Sequence, residues 1–480
     1  MPQTWQPKPP TPSPSYSTGW LGWARKNLFS SPGNALLTLL SLAVLLATLP
    51  SMLRWGLWDA TWLGDSRKVC DSAAQDGSAG ACWVFIKVRL EVFLYGFYPE
   101  AQRWRVNFTL ALLGLAALPI LAPTLLRGTL RQTLFALAAA LLMLAIFGMP
   151  CAIFTACYLL LPLALPPLVR QRPFLELFAG RLAGVSAGLF LTALAATLLY
   201  LAAGQAGGGG AAGPIAVTGA ILVVFLIFVG RLTASAWRWI LLFTVYPLAG
   251  FFLLVGEVFG LPLVETHFWG GLFLTLVVAG TGMATALPIG ILLALGRRSA
   301  LPVIKTLCVF FIEFVRGVPL VSVLFMASVM FPLFLPENVT FDKLLRALIG
   351  IAFFYAAYMA EVIRGGLQAI PKGQFEAAMA LGWPYWKMMA LIIMPQTLRL
   401  VIPGLANNVL SLLKDTTLVA VIGLLDLLGV AKASMADTEW LGFTKEAYIF
   451  AALVFWVFCF AISRYSVYLE KTYHTSQHYN

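Results

Sequence analysis

The sequence predicts an all-α integral membrane protein with about twelve transmembrane helices, and three observations carry that expectation. Of 480 residues, 60% are hydrophobic and only 11% are charged, and the mean hydropathy is +0.87, a balance that water-soluble globular domains do not sustain. Apolar runs of about 20 residues recur, the length that crosses a bilayer as a helix and too long for a barrel strand. Short loops rich in Lys and Arg separate them, so the net charge of +12 is expected on cytoplasmic loops, against a lipid bilayer, and does not point to nucleic acid.

Requiring each Lys/Arg cluster to lie inside orders the elements. Residues 1–34 carry Pro2, Pro7, Pro9, Pro10, Pro12 and Pro14 and read as a disordered cytoplasmic tail. No cleavable signal is read there, because the first apolar run comes late and no small-residue cleavage pattern comes after it. Arg25 and Lys26 precede a first span at 35–53. The segment 54–104 is mixed in charge and rich in Trp and Tyr, and is expected outside as a periplasmic loop. Of six cysteines, only Cys70 and Cys82 form a pair in a polar loop; they are a candidate disulfide, with two unbonded thiols as the alternative. Cys151, Cys157, Cys308 and Cys459 sit in apolar runs and read as packing residues.

Additional transmembrane helices fill 105–261: spans near 106–126 and 239–261 flank a four-span insertion at about 128–230. Gly148-Met149-Pro150 and Gly207–Gly210 supply its turns. An even number of inserted spans preserves the orientation of the later ones, and their near lack of charge reads as a packing annex rather than a second transport path. Residues 265–470 form a denser core, with five spans near 269–295, 306–334, 344–364, 397–413 and 447–469, before a cytoplasmic tail at 471–480. Arg297, Arg298 and Lys305 fall inside, Pro336 to Lys343 outside, and both termini are cytoplasmic.

A polar loop at 370–395 lies between the third and fourth core spans. Ala377, Ala378, Met379, Ala380 and Leu381 are strong helix formers, Gly382 suits a left-handed C-terminal cap and Pro384 the first turn of a second helix. The spacing of Glu376, Ala377, Ala378, Gly382, Ile392 and Pro395 resembles the EAA loop of ATP-binding-cassette (ABC) importer permeases of type I, with Met394 where a leucine is usual, a mild departure. The resemblance implies that these six residues couple to an ATPase, whose groove receives the paired helices. Glu-Ala-Ala followed by glycine also describes a capped surface helix.

Further phrases resemble permeases of the polar amino-acid uptake family. They are Trp269-Gly270-Gly271-Leu272, Glu313-Phe314-Val315-Arg316-Gly317-Val318-Pro319-Leu320, Ala360-Glu361-Val362-Ile363-Arg364-Gly365-Gly366 and Leu413-Lys414-Asp415-Thr416-Thr417-Leu418. With Gly80-Ala81-Cys82-Trp83 and Tyr95-Gly96-Phe97-Tyr98-Pro99-Glu100, the chain closely resembles the M-type subunit of the general L-amino-acid permease over 30–126 and 239–475, but not over 128–230. The resemblance implies a multi-pass permease subunit in a bacterial inner membrane that moves L-amino acids from periplasm to cytoplasm. It further implies a second, Q-type permease subunit, a cytoplasmic ATPase dimer and a periplasmic amino-acid-binding protein as partners. ATP and Mg would be used by the ATPase. This chain, which has no G-x-x-x-x-G-K-[ST] loop, is expected to carry no cofactor, no metal and no catalytic residue. Its three histidines, His267, His474 and His478, are scattered. An ion-gradient-driven secondary transporter and a non-transporting assembly subunit are the rival readings, the first disfavoured because no half-to-half repeat is visible.

Charges within spans are costly and need partners. Glu313 with Arg316, and Glu361 with Arg364, stand at i, i+3 and are expected to form intramembrane ion pairs, each on one helix face. Lys414, Asp415, Thr416 and Thr417, at the end of a core span, offer a cation, an anion and hydroxyls to an amino acid's carboxylate and ammonium, and are a candidate substrate path. A pair snorkelling at the membrane surface is the alternative. Asn407 and Asn408 belong to the same candidate path or bond between helices. Asp426 and Asp437 are expected outside and solvated.

Overall fold

The computed structural model describes residues 19–75, 80–121, 246–256, 261–336 and 341–474. The insertion expected at 128–230, with Cys151 and Cys157, lies outside the described residues, as do positions 1–18. Among the described residues the regular secondary structure is helical, without a strand. The chain divides into two compact units, Met1–Val88 with Asp437–Ala447, and Arg89–Ala436 with Tyr448–Asn480.

In the first unit, helix α1 (Gly19–Asn27) stands where the sequence suggested a disordered tail. Arg25 and Lys26 in its last turn complement the negative helix end. Helix α2 (Pro32–Leu53) starts three residues earlier than expected, because the Ser31 hydroxyl accepts the Asn34 N–H at 3.2 Å and Pro32 fits a first helical turn. None of its residues is buried, as suits a span facing lipid. The segment expected as one loop over 54–104 contains helices α3 (Arg67–Gln75) and α4 (Trp83–Tyr95). Cys70 and Cys82 are disulfide-bonded with Cα atoms 5.9 Å apart. The Cys82 N–H donates to Glu446 Oε1 at 3.0 Å, and Phe85 packs on Trp440 with ring centroids 5.3 Å apart.

In the second unit, helices α5 (Arg103–Leu121) and α6 (Tyr246–Val255) occupy the described parts of the spans expected at 106–126 and 239–261. Tyr98 donates to the Leu254 carbonyl at 2.7 Å, and its burial pushes the phenol up to about 12, so it remains a donor at physiological pH. The core then runs through α7 (Gly271–Arg297), α8 (Pro302–Gly317), α9 (Leu320–Phe325) and α10 (Lys343–Ala369).

Buried Gly282, Ala286, Gly290 and Ala294 recur at every fourth position of α7. This small-residue stripe lets the backbones of α7 and α10 approach closely. A Cβ added at Gly290 would stand 2.6 Å from Met359 Cβ and 3.0 Å from the Ala356 carbonyl oxygen.

Two core spans differ from expectation. The one expected over 306–334 is broken into arms at 106°, Pro302–Gly317 and Leu320–Phe334. Val318 precedes Pro319, which excludes it from helical geometry, and it is extended with φ −104° and ψ 137°. The span expected at 397–413 instead covers Ile402–Ile422. It consists of α14 (Ile402–Asp415) and a 3-10 continuation, Thr416–Ile422; three short helices precede it, α11 (Lys372–Ala380), α12 (Tyr385–Met388) and α13 (Met394–Leu400). Val401 (φ −96°, ψ 4°) interrupts the helix, and the new one starts at Ile402 with Pro403 in its first turn.

Helix α15 (Leu427–Met435) and the long α16 (Thr444–His474) complete the described residues. Asp426, expected to be solvated, is fully buried and caps α15 by accepting the Gly429 N–H at 2.9 Å. Burial raises its carboxyl above the usual carboxylate range.

Among the described residues five helices are long and apolar enough to cross a membrane: Pro32–Trp58, Gly271–Arg297, Lys343–Ala369, Ile402–Ile422 and Thr444–Thr472; the bent pair would make a sixth.

Gly290→Val forces α7 and α10 apart, and we expect much less folded protein in detergent; Gly280→Val, where an added Cβ meets nothing within 4 Å, serves as the tolerated control. Equal yields of the two variants by size-exclusion chromatography would refute close α7–α10 packing.

Candidate functional site

Residues 370–395 fold as a helix, a stop and a second helix. Helix α11 (Lys372–Ala380) ends at Gly382, whose φ of +71° is the left-handed conformation that favours glycine. The Gly382 N–H bonds the Met379 carbonyl at 2.9 Å and the Trp383 N–H bonds the Ala378 carbonyl at 3.2 Å, the paired bonds of a Schellman cap. Pro384 then precedes α12 (Tyr385–Met388), a π-helical turn over Met389–Ile393 and α13 (Met394–Leu400).

The unit has two faces. Ala378, Met388, Met389, Ile393 and Met394 are buried against Ala294, Met359 and Ile363 of α7 and α10, with Phe375, Trp383 and Ile392 half-buried beside them. Glu376, Ala377 and Pro395 are exposed, and so are apolar side chains that water does not favour: Leu381 at 74%, Trp386 at 67% and Met379 at 58%. A capped, stiff helix pair with an anchored inner face and an apolar outer face rimmed by Glu376 has the form of a docking element.

The charges at the ends of α7, α8 and α10 form one cluster, not two local pairs. Glu361 is held by Arg364 at 2.7 Å, Arg297 at 3.4 Å and Arg316 at 3.6 Å. The expected Glu361–Arg364 pair is therefore present, whereas Glu313 pairs with Arg297 at 3.0 Å instead of with Arg316. Arg316 turns to Glu361 and lies over the Tyr358 ring, 5.7 Å from its centroid. Close packing of α7 on α10 brings Arg297 to Glu361, which spacing along one helix cannot reveal.

The shift of the fourth core span places Lys414, Asp415, Thr416 and Thr417 inside Ile402–Ile422 rather than at its end. Asp415 accepts a 2.6 Å hydrogen bond from the Tyr355 hydroxyl. The Thr416 and Thr417 hydroxyls donate to the Leu413 and Lys414 carbonyls at 2.8 and 2.9 Å, so their protons are committed to their own helix. Lys414 is exposed on the surface of the chain, whereas Asn407 is exposed beside a buried neighbour. That neighbour, Asn408, contacts Met359 Sδ at 3.5 Å across helices. Consecutive positions on a helix point about 100° apart, which leaves Asn407 exposed while Asn408 is buried.

Tyr355 is a functional candidate that sequence reasoning missed. Its signal is there: Tyr355, Tyr358 and Glu361 repeat at every third position of α10, a polar stripe in an apolar span. Among the described residues no group of three or more His, Cys, Asp or Glu could hold a metal ion.

Residues 286–474 match the binding-protein-dependent transport system inner membrane component family. The chain is 40% identical to the inner membrane amino-acid ABC transporter permease protein YhdY of Escherichia coli (strain K12), over 98% of this chain and 97% of that protein. It is also 40% identical to the glutamate/glutamine/aspartate/asparagine transport system permease protein BztC of Rhodobacter capsulatus, over 96% of this chain and 95% of that one. A crystal structure of an amino acid ABC transporter with histidines matches at 29% identity and a TM-score of 0.38, covering 42% of this chain and 92% of that one.

The fold and the family match define a multi-pass inner-membrane permease. The chain belongs to the amino-acid ABC transporter permeases, in which ATP hydrolysis resides in a separate subunit. Such permeases work with a second permease, an ATPase and a binding protein, and membership sets the chain apart from ion-gradient-driven transporters.

Gly382→Ala puts a Cβ in the left-handed region at a cost of about 1 kcal/mol and loosens the helix pair. We expect binding of the ATPase subunit to weaken by several-fold in a pull-down, with membrane insertion unchanged; undiminished binding would show that the cap is dispensable. Glu361→Ala leaves three arginines without their common carboxylate, and ATP-dependent uptake should fall strongly while the protein still inserts. Wild-type uptake would limit the cluster to packing.

Proposed function

We propose that this chain is the permease subunit through which L-amino acids pass from periplasm to cytoplasm, driven by a cytoplasmic ATPase dimer that docks on the 370–395 loop. A second, Q-type permease completes the pathway, and a periplasmic binding protein delivers the substrate. In this reading Glu376, Ala377, Ala378, Gly382, Ile392 and Pro395 belong to the force-receiving element, and ATP with Mg is bound by the ATPase alone. Both termini and the loop are cytoplasmic. The disulfide-bearing segment is periplasmic, where an oxidising environment suits Cys70–Cys82. About twelve spans, including four at 128–230, complete the topology.

The observation that carries the substrate reading is Lys414 and Asp415 inside a span, on a helix whose Lys414 faces out of this chain. An intramembrane charge is costly unless it meets a partner or a water-filled path. The interface with a second permease supplies such a path. Lys414 can meet a substrate carboxylate, and the Asp415 carboxylate, oriented by Tyr355, can meet the ammonium. Both groups belong to the backbone that amino acids share, so such a site reads the class and not the side chain. ATPase closure moves the loop and the core helices toward an outward-facing state, and hydrolysis returns them.

The test is uptake of labelled amino acids into vesicles holding the assembled complex, with glutamate, glutamine, aspartate and asparagine in the panel because BztC is named for them. Uptake should require ATP on the ATPase side and ignore ion gradients. Lys414→Met should reduce uptake of every amino acid by roughly ten-fold, the loss expected for one charged hydrogen bond. Wild-type uptake across the panel would exclude Lys414 from recognition.

A further inference from the structure

Arg297 and Arg298 are consecutive at the C-terminal end of α7, and their side chains diverge. Arg297 joins Glu313 and Glu361. Arg298 reaches the loop instead: its Nη1 donates to the Leu367 carbonyl at 3.4 Å, and its guanidinium lies over the Phe375 ring, 5.4 Å from the centroid.

Each contact has a physical basis. Leu367 lies in the last turn of α10, where carbonyls lack a partner within the helix. Phe375 is on α11, immediately before Glu376, and packs against the buried layer that anchors the helix pair. One planar guanidinium therefore touches the end of α7, the end of α10 and the start of the EAA helix. Arginine suits this position because its fork donates a hydrogen bond in the plane while its face stacks on an aromatic ring. A lysine ammonium keeps the charge but does not stack.

We propose that Arg298 is a positioning residue that clamps the EAA helix to the core, so that displacement of α11 by the ATPase is passed to α7. From α7 the neighbouring Arg297 hands the displacement to α8 and α10 through Glu313 and Glu361. The proposal rests on the docking role of the 370–395 loop. It differs from the simpler idea that Arg298 is only one of the positive charges favoured on the cytoplasmic side.

The test measures amino-acid uptake and ATP hydrolysis in the same vesicles, with the complete complex carrying Arg298→Ala, Arg298→Lys, Phe375→Leu or Arg298→Ala with Phe375→Leu. Arg298→Ala should assemble normally and keep hydrolysing ATP, but move roughly two- to five-fold less substrate per ATP, the factor expected for one exposed cation–π contact. Arg298→Lys should recover part of the loss. Phe375→Leu should reproduce it, and the double variant should be no worse than either single change. A wild-type ratio of uptake to hydrolysis in Arg298→Ala overturns the proposal. So do losses that add in the double variant, or uptake and hydrolysis that fall together in step with the amount of assembled complex. A wild-type complex without ATP-dependent uptake would instead overturn the transport reading itself.

Discussion

The close approach of α7 and α10 is the constraint on which the second unit depends. Gly282, Ala286, Gly290 and Ala294 remove side-chain bulk from one face of α7, and Met359 and Ala356 fill that space. In lipid, where apolar surface gains little by leaving the solvent, such fit is a principal source of helix association. The same approach brings Arg297, at the last turn of α7, to Glu361 on α10. It also sets Ala294 and Met359 side by side as the floor on which the 370–395 loop rests.

That loop is divided by its own helical periodicity. Ala378 faces inward and is buried, while Glu376 and Ala377 face outward. Leu381 and Trp386 extend the exposed apolar surface beyond the Schellman cap. A short stiff element with one face fixed to the core transmits displacement better than a flexible loop, because little of the motion is absorbed by its own backbone.

Much of this was legible in the primary structure. Composition and the length of apolar runs indicated helices in a membrane, and the glycine at 382 with helix formers before it and proline after it indicated the paired-helix loop. Glu313 and Arg316, expected to pair at i, i+3, instead meet Arg297 and Glu361 on other helices. Sequence spacing reports neighbours along one helix, whereas Arg297 arrives from another. The apolar content of 306–334 suggests one continuous span, whereas Pro319 holds Val318 in an extended conformation that breaks it. Asp426 looked solvated because a carboxylate near a span end usually is; here it caps a buried helix start.

By itself the sequence determined the solvent, the helical class, the kinship with amino-acid ABC permeases and the residues of the loop that resembles a docking element. These come from hydropathy, local propensity and spacing along the chain, all of which are properties of neighbouring residues. Tertiary structure decided which charges meet, which face of the loop is free, that Asp415 is held by Tyr355, and that Lys414 lies within a span. The physical reason is that ion pairing, burial and the register of a helix in its bundle depend on side chains distant in sequence, which only packing brings within a few ångströms.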